Sequence, residues 1–328
     1  MRTNPQWVGR VAAGVLASSL FWASSASAQA SPDESYSSWK YGPTQTEKPA
    51  SFDDFSGGED QHRLTWKYPR FAAWQVGVSV AQTAASVGLE FGLETADSGW
   101  RNGILIDDTA RSGLVAHSPE GRARAGQVSD MMWYSTQGFA VLDSLVTPLA
   151  ADAGNTDVAL QLTLINWQAF GFSFLATRIP VKAVGRGRPS LKECDADPGY
   201  DKACDPNDPG RTQSAFSGHT SMTFTAASLI CMHHAYLELY GEPALDYGVC
   251  GLAMASATTV GTLRIVADKH WTSDVLIGAG IGLVSGLGVP YLFHYSHTLE
   301  AKPASSVEVA FAPVLSEDTL GVGAKGYF

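Results

Sequence analysis

Two histidines, an aspartate, a serine-glycine pair and several basic residues are spaced in this chain so that together they could handle an anionic phosphoryl group. They fall in three clusters: Val181-Lys182-Ala183-Val184-Gly185-Arg186-Gly187-Arg188-Pro189, then Phe216-Ser217-Gly218-His219-Thr220, then Arg264, His270 and Asp274. Each has a plain explanation alone. Basic residues favour the negative end of a helix dipole, Ser before a helix is a common N-cap, and the third cluster reads as a solvated helix end with an ion pair. All three in this order ask for more.

His270 and Asp274 stand at i and i+4, so on a helix they share a face. There Asp274 would accept the proton-bearing ring nitrogen of His270, fix its tautomer and leave the other nitrogen free to attack phosphorus. Ser217, the Gly218 amide and the guanidinium groups of Arg188 and Arg264 suit a phosphoryl group, which planar Arg binds through paired hydrogen bonds. Gly218 lets the backbone approach closely. His219 would protonate the leaving oxygen as a general acid. This scheme calls for no metal and no other cofactor.

At these residues the chain resembles the PAP2 superfamily, which takes in lipid phosphate phosphatases, bacterial acid phosphatases and, by shared fold, vanadium haloperoxidases. Arg188-Pro189, Ser217-Gly218-His219, Arg264, His270 and Asp274 match the family pattern position by position. The resemblance implies an all-α, PAP2-like bundle over residues 70–296, in-line displacement through a phosphohistidine at His270, and acid catalysis by His219. There are departures: Lys182 stands one residue late, its register position is held by Val181, Phe216 replaces a Pro and Leu263 a Ser. One residue turns a helix by ~100°. Either Lys182 reaches the phosphate through its flexible stem or a local change in winding, or Arg186 supplies the charge, or activity is weakened.

The expected function is hydrolysis of phosphate monoesters, with a phosphorylated small molecule or a lipid phosphate as partner. Two alternatives stand beside it. A haloperoxidase-like enzyme would hold vanadate as cofactor in the same anion pocket; the short chain, without the large extra helical region of such enzymes, argues against it. A non-catalytic binder of phosphate or of a lipid headgroup would explain the displaced Lys182, but it would not need His219, His270 and Asp274.

Six charge-poor stretches must position these clusters: 71–89, 131–149, 158–176, 220–236, 247–263 and 275–295, helical by length and by Ala, Leu and Met content. About six core helices are therefore expected. The last stretch holds five glycines, which suggests close helix packing. His233-His234 lies within an apolar stretch, where one ring is expected buried and the other exposed; His294 and His297 read as surface residues. Beyond the bundle, the tail 297–328 shows alternation at Val307, Val309 and Phe311 that predicts a short β-hairpin.

The chain opens with Arg2 and Arg10, an apolar run and Ala26-Ser27-Ala28-Gln29-Ala30, the pattern of a cleavable export signal over 1–30. Residues 31–69, rich in Ser, Pro and charge, read as a linker or loosely packed arm. Export allows disulfides. Cys194 and Cys204 flank a Pro/Gly/Asp-rich loop and are the expected pair, whereas Cys231 and Cys250 lie in apolar, helix-like stretches where a bridge is left open. The 328 residues are 45% hydrophobic and 16% charged, a folded chain, and the net charge of -10 speaks against nucleic acid as a partner. Gln75, Gln82, Asp143 and Gln168 interrupt the apolar stretches, and the loops 150–156 and 238–245 lack Lys and Arg. These features oppose a bundle within a bilayer and the near-spanning length of the six stretches favours it, so an exported protein, periplasmic or membrane-associated, is expected.

Overall fold

Seven helices run through the residues described by the computed structural model, which are 62–298 and the backbone of 308–316 and 319–327. The export signal and most of the arm fall outside them. The helices are α1 (Ala73–Gly92), α2 (Asp107–Leu114), α3 (Pro119–Ala151), α4 (Thr156–Val184), α5 (Gly218–Leu237), α6 (Pro243–Val266) and α7 (Thr272–Leu283). The last continues through π-type turns at Val284–Gly288 and Tyr291–Tyr295. All six expected stretches are helical, and most are longer than the charge-poor run alone suggests. The short α2, of sequence DDTARSGL, carries no apolar run to announce it.

Helix ends follow local chemistry. Ser118 accepts from the Gly121 amide and precedes Pro119 at the start of α3, and Asn155 accepts from the Val158 amide at the start of α4. Gly185 ends α4 in the left-handed region at φ 58°, and a Cβ there would lie 1.7 Å from the Ala96 carbonyl oxygen, so only glycine fits. That turn sends the chain into Arg186 and Arg188.

α5 is the central helix, packed against α3, α4, α6 and α7. It meets α7 through glycines spaced four apart. A Cβ at Gly278 would lie 2.7 Å from the Ser217 carbonyl oxygen, at Gly282 2.4 Å from that of Ser221, and at Gly286 2.5 Å from that of Thr225. The glycine-rich sequence thus buys backbone contact between the two helices whose first turns carry His219 and Asp274.

The bundle is polar inside and apolar outside. Ser129, Thr136 and Asp143 of α3, Gln161, Asn166, Gln168, Ser173 and Thr177 of α4, and Ser221, Thr225 and Ser228 of α5 are all buried. Met131, Leu142, Leu252, Leu276, Val284 and Leu292 are more than half exposed. Inward polar groups satisfy one another: Ser173 and Ser221 hydroxyls are 2.6 Å apart, and Asn166 Nδ2 donates to Ser144 Oγ at 2.8 Å. Three helices, Thr156–Lys192, Pro243–Val266 and Thr272–Tyr295, are long and apolar enough to cross a membrane. Apolar faces of this kind suggest membrane association.

Several expectations need correction. The compact part begins before Arg70: Leu64, Trp66 and Tyr68 are buried with Val158, Leu162 and Leu229, and Asp152 accepts from the backbone amides of Arg63 and Leu64. Apolar residues at alternate positions, 64, 66 and 68, drive that docking. His233 and His234 are both buried, each ring nitrogen having a partner, and His294 is fully buried against Gln75 and the Pro69 carbonyl. A polar interior supplies the partners that let all three rings turn inward. The chain's described domain is helical as expected. Strands Glu308–Ser316 and Thr319–Tyr327 pair antiparallel in the backbone, but their side chains lie outside the described residues, and a hairpin docked on the bundle is not supported.

Candidate active site

The three clusters meet at one end of the bundle, where α4 and α6 finish and α5 and α7 begin. Two helix N-termini bring their positive dipole ends there, and at α7 the Ser273 amide already donates to Asp107 Oδ1 at 2.7 Å. Ser217 is the N-cap of α5: its Oγ accepts from the Thr220 amide at 3.4 Å and from Thr220 Oγ1 at 2.8 Å, while its own amide donates to the Asp274 carbonyl at 3.1 Å. Gly218 and His219 follow in the first turn.

His270 lies ahead of α7, not on it. Trp271 is the N-cap, with φ -68° and ψ 154°, so the i, i+4 rule does not apply and Asp274 does not reach the ring. Instead Nδ1 of His270 lies 2.8 Å from the Ser214 carbonyl oxygen. A carbonyl only accepts, so Nδ1 carries the proton and Nε2 keeps its lone pair. The ring is 5% exposed. Burial, and the charges of Arg264 and Arg188, hold its pKa well below 6.5, which keeps it neutral.

Asp274 has a different task from the one expected. Its Oδ1 accepts from Arg186 Nη1 at 2.7 Å, and its Oδ2 from Ser214 Oγ at 2.6 Å and the Trp271 amide at 3.3 Å. It therefore holds the segment whose carbonyl holds His270. Both terminal nitrogens of Arg186 are committed: they also donate to Asp107 Oδ2 at 2.8 Å and Ser273 Oγ at 2.9 Å, and the guanidinium lies 4.3 Å from the centre of the Trp100 ring, while its buried Nε has no hydrogen-bond partner. It does not take the place of the displaced lysine. Nor does Lys182 reach the site. Its Nζ donates to the Leu93 carbonyl at 2.6 Å, at the end of α1, and Val181, at the register position, is buried in the bundle.

The other expected residues are gathered. Arg264 is 6% exposed and Arg188 donates through Nε to the Gly210 carbonyl at 2.6 Å. His219 and His270 both lie in the field of these two arginines. His219 packs against the Trp133 ring, 4.5 Å between centroids, and burial, with Arg264 next, lowers its pKa to about 4.

Besides Ser214 and Asp107, two further residues escaped the sequence reading. Asp130 of α3 accepts from Arg264 Nη1 at 2.9 Å and lies 3.0 Å from His219 Nε2, joining the two. Lys269, next to His270, donates to Asp201 Oδ2 at 2.5 Å. Asp130 stands just before an apolar stretch, where a charge looks like a helix end. Lys269 looks like an ordinary surface residue of a turn.

The loop between the first two clusters is tied down on several sides. Cys194 and Cys204 form a disulfide, and so do Cys231 and Cys250. Arg111 pairs with Asp268 through two hydrogen bonds of 2.7 Å and with Glu193 at 2.9 Å, and Tyr200 donates to Asp268 at 3.1 Å. Among the described residues no cluster of His, Cys, Asp and Glu suited to a metal ion is found.

Over 70 residues the chain is 44% identical to a lipid A 1-phosphatase of Porphyromonas gingivalis, a match covering 21% of this chain and 14% of that protein. No solved structure matches. The PAP2 superfamily matches residues 169–298, a span that contains Arg188, Ser217, His219, Arg264, His270 and Asp274. The chain is therefore similar to the PAP2 superfamily over residues 169–298, less than half of its length.

Proposed function

We propose that this protein is a phosphatase that removes the phosphate of a lipid-linked monoester through a phosphohistidine at His270. The observation that carries the reading is the buried, neutral His270, its Nδ1 proton given to the Ser214 carbonyl, set in the field of Arg188 and Arg264. Nε2 of His270 forms the bond to phosphorus while the bond to the leaving oxygen breaks, and His219 donates a proton to that oxygen. Water then attacks phosphorus, giving a proton to His219, and the nitrogen-phosphorus bond breaks to release inorganic phosphate. Arg188, Arg264, Ser217 and the Gly218 amide hold the equatorial oxygens, where charge concentrates in the transition state. A Cβ at Gly218 would meet no protein atom within 4 Å, so the room beside that backbone is free for a ligand.

The lipid part of the reading rests on the outer surface. An apolar exterior over a polar interior fits a bundle held in a bilayer, with the site at the helix ends where a headgroup would lie. The named activity of the Porphyromonas gingivalis relative accords with it. The test is phosphate release from purified, detergent-solubilised protein offered lipid phosphates in mixed micelles and soluble monoesters, each with and without a chelator. Release from the lipid substrates at the higher kcat/KM, unchanged by chelation, is expected. Release from neither class contradicts the reading.

A further inference from the structure

We infer that Lys269 is the lysine of the phosphate site, brought in from the turn before His270 to replace the one that Lys182 fails to supply. The inference rests on the phosphatase reading above and names one of its binding groups. Three observations carry it. Lys182 is spent on carbonyls at the end of α1, and Arg186 on the carboxylates of Asp107 and Asp274. The site thus lacks the cation that one or the other was expected to offer.

The turn after α6 places Lys269 next to His270 in the chain. Its amide donates to the Arg264 carbonyl at 3.0 Å, so the phosphate-binding arginine, the lysine and the nucleophile His270 belong to one tight turn. The lysine side chain is 17% exposed and lies in the field of both Arg188 and Arg264. Three cations converge there, and Arg264 Nε is buried with no hydrogen-bond partner. A convergent, partly unpaired set of cations is what a dianionic phosphoryl group requires.

Asp201 holds the lysine until an anion arrives. It lies on the disulfide-closed loop, its Oδ1 capping the Ala203 amide at 2.9 Å and its Oδ2 accepting from Lys269 at 2.5 Å. Burial lowers the lysine's pKa against the pull of Asp201, and the two arginines lower it further, so a bound phosphate would relieve that strain on its charge. Lys269 then either shares its three protons between Asp201 and a phosphate oxygen or passes from one to the other.

The test measures binding apart from turnover, using inorganic phosphate and orthovanadate with the full chain in detergent by calorimetry. Lys269→Met should weaken both anions by about tenfold or more, the scale of one charge-assisted hydrogen bond, and Lys269→Arg should recover most of the loss. Lys182→Met should stay within about twofold of wild type. Asp201→Asn, which frees the ammonium while keeping the shape, should tighten phosphate; unchanged or weaker binding overturns the inference, as does Lys182→Met weakening anions while Lys269→Met does not. Anion binding that follows this pattern in a protein hydrolysing no monoester would leave Lys269 in place and remove only the phosphatase reading.

Discussion

Nδ1 of His270 and the carbonyl oxygen of Ser214 are 2.8 Å apart, so a backbone group, not a carboxylate, sets the tautomer of the proposed nucleophile. The carbonyl is itself fixed from two sides: the Ser214 amide donates to the Arg186 carbonyl at 3.0 Å, and its hydroxyl to Asp274. A neutral acceptor makes a less basic imidazole than an aspartate would, and a better leaving group in the second step.

Asp274 should therefore behave as a structural anchor. Asp274→Asn leaves buried Arg186 paired with Asp107 alone and weakens the hydrogen bonds from Ser214 and the Trp271 amide, at a cost of about 1–3 kcal/mol. Denaturant unfolding in detergent should show that loss, while the phosphoenzyme still forms in the folded fraction. A variant of unchanged stability that forms no phosphoenzyme would show that Asp274 acts on His270 directly.

The pH dependence follows from His219. With its pKa lowered to about 4, it is protonated, as a general acid must be, only at acid pH. His270, neutral over the same range, sets no limit on the alkaline side. The kcat/KM profile, corrected for ionisation of the substrate, should fall as pH rises from about 4. A bound dianion raises the His219 pKa, so the kcat profile should fall at higher pH. Coincident limbs, or activity that rises with pH through neutrality, contradict the assignment.

Leaving-group chemistry isolates the same residue. His219→Asn should lower hydrolysis of an alkyl phosphate by about 10²–10⁴-fold and that of an aryl phosphate, whose oxygen needs little help, far less. Stopped assays on paired substrates measure it. Equal losses on both would assign His219 to binding alone.

Membrane association has a simple test. After a high-pH carbonate wash, the protein should stay in the membrane pellet and come out only in detergent, against the peripheral or periplasmic expectation. Release by carbonate would mean that the apolar exterior is covered by something other than lipid. The far-end loops lack basic residues of their own, but Arg63 of the docked arm lies there, donating to the carbonyls of Glu238 and Leu239 at 2.8 and 2.6 Å.

The meeting of the three clusters was legible because each stands where a charge-poor stretch ends or begins, and the helices because charge-poor stretches of that length have few other solutions. What was not legible depended on which way residues face. Ser129, Thr136 and Asp143 are seven apart, as are Gln161 and Gln168, and each set lines the buried side of its helix. Read as interruptions of an apolar run they argue for a soluble bundle; read as a stripe they mark the inside of a lipid-facing one. The spacing of His270 and Asp274 misled because the helix starts two residues after the histidine, at a cap that Asp274 itself makes. Asp130 and Lys269 act through partners 134 and 68 residues away in sequence, and no local pattern announces such pairs.

The central claim is that phosphorus passes through His270, and trapping the intermediate tests it most directly. Enzyme quenched with denaturant within the first turnover of a phosphorus-labelled monoester should carry label that survives alkali and is lost in acid, as a phosphohistidine is, on the peptide containing His270. His270→Ala, folded and still able to bind vanadate, should carry none. Turnover with no labelled enzyme at any quench time, or label retained by His270→Ala, would contradict the account.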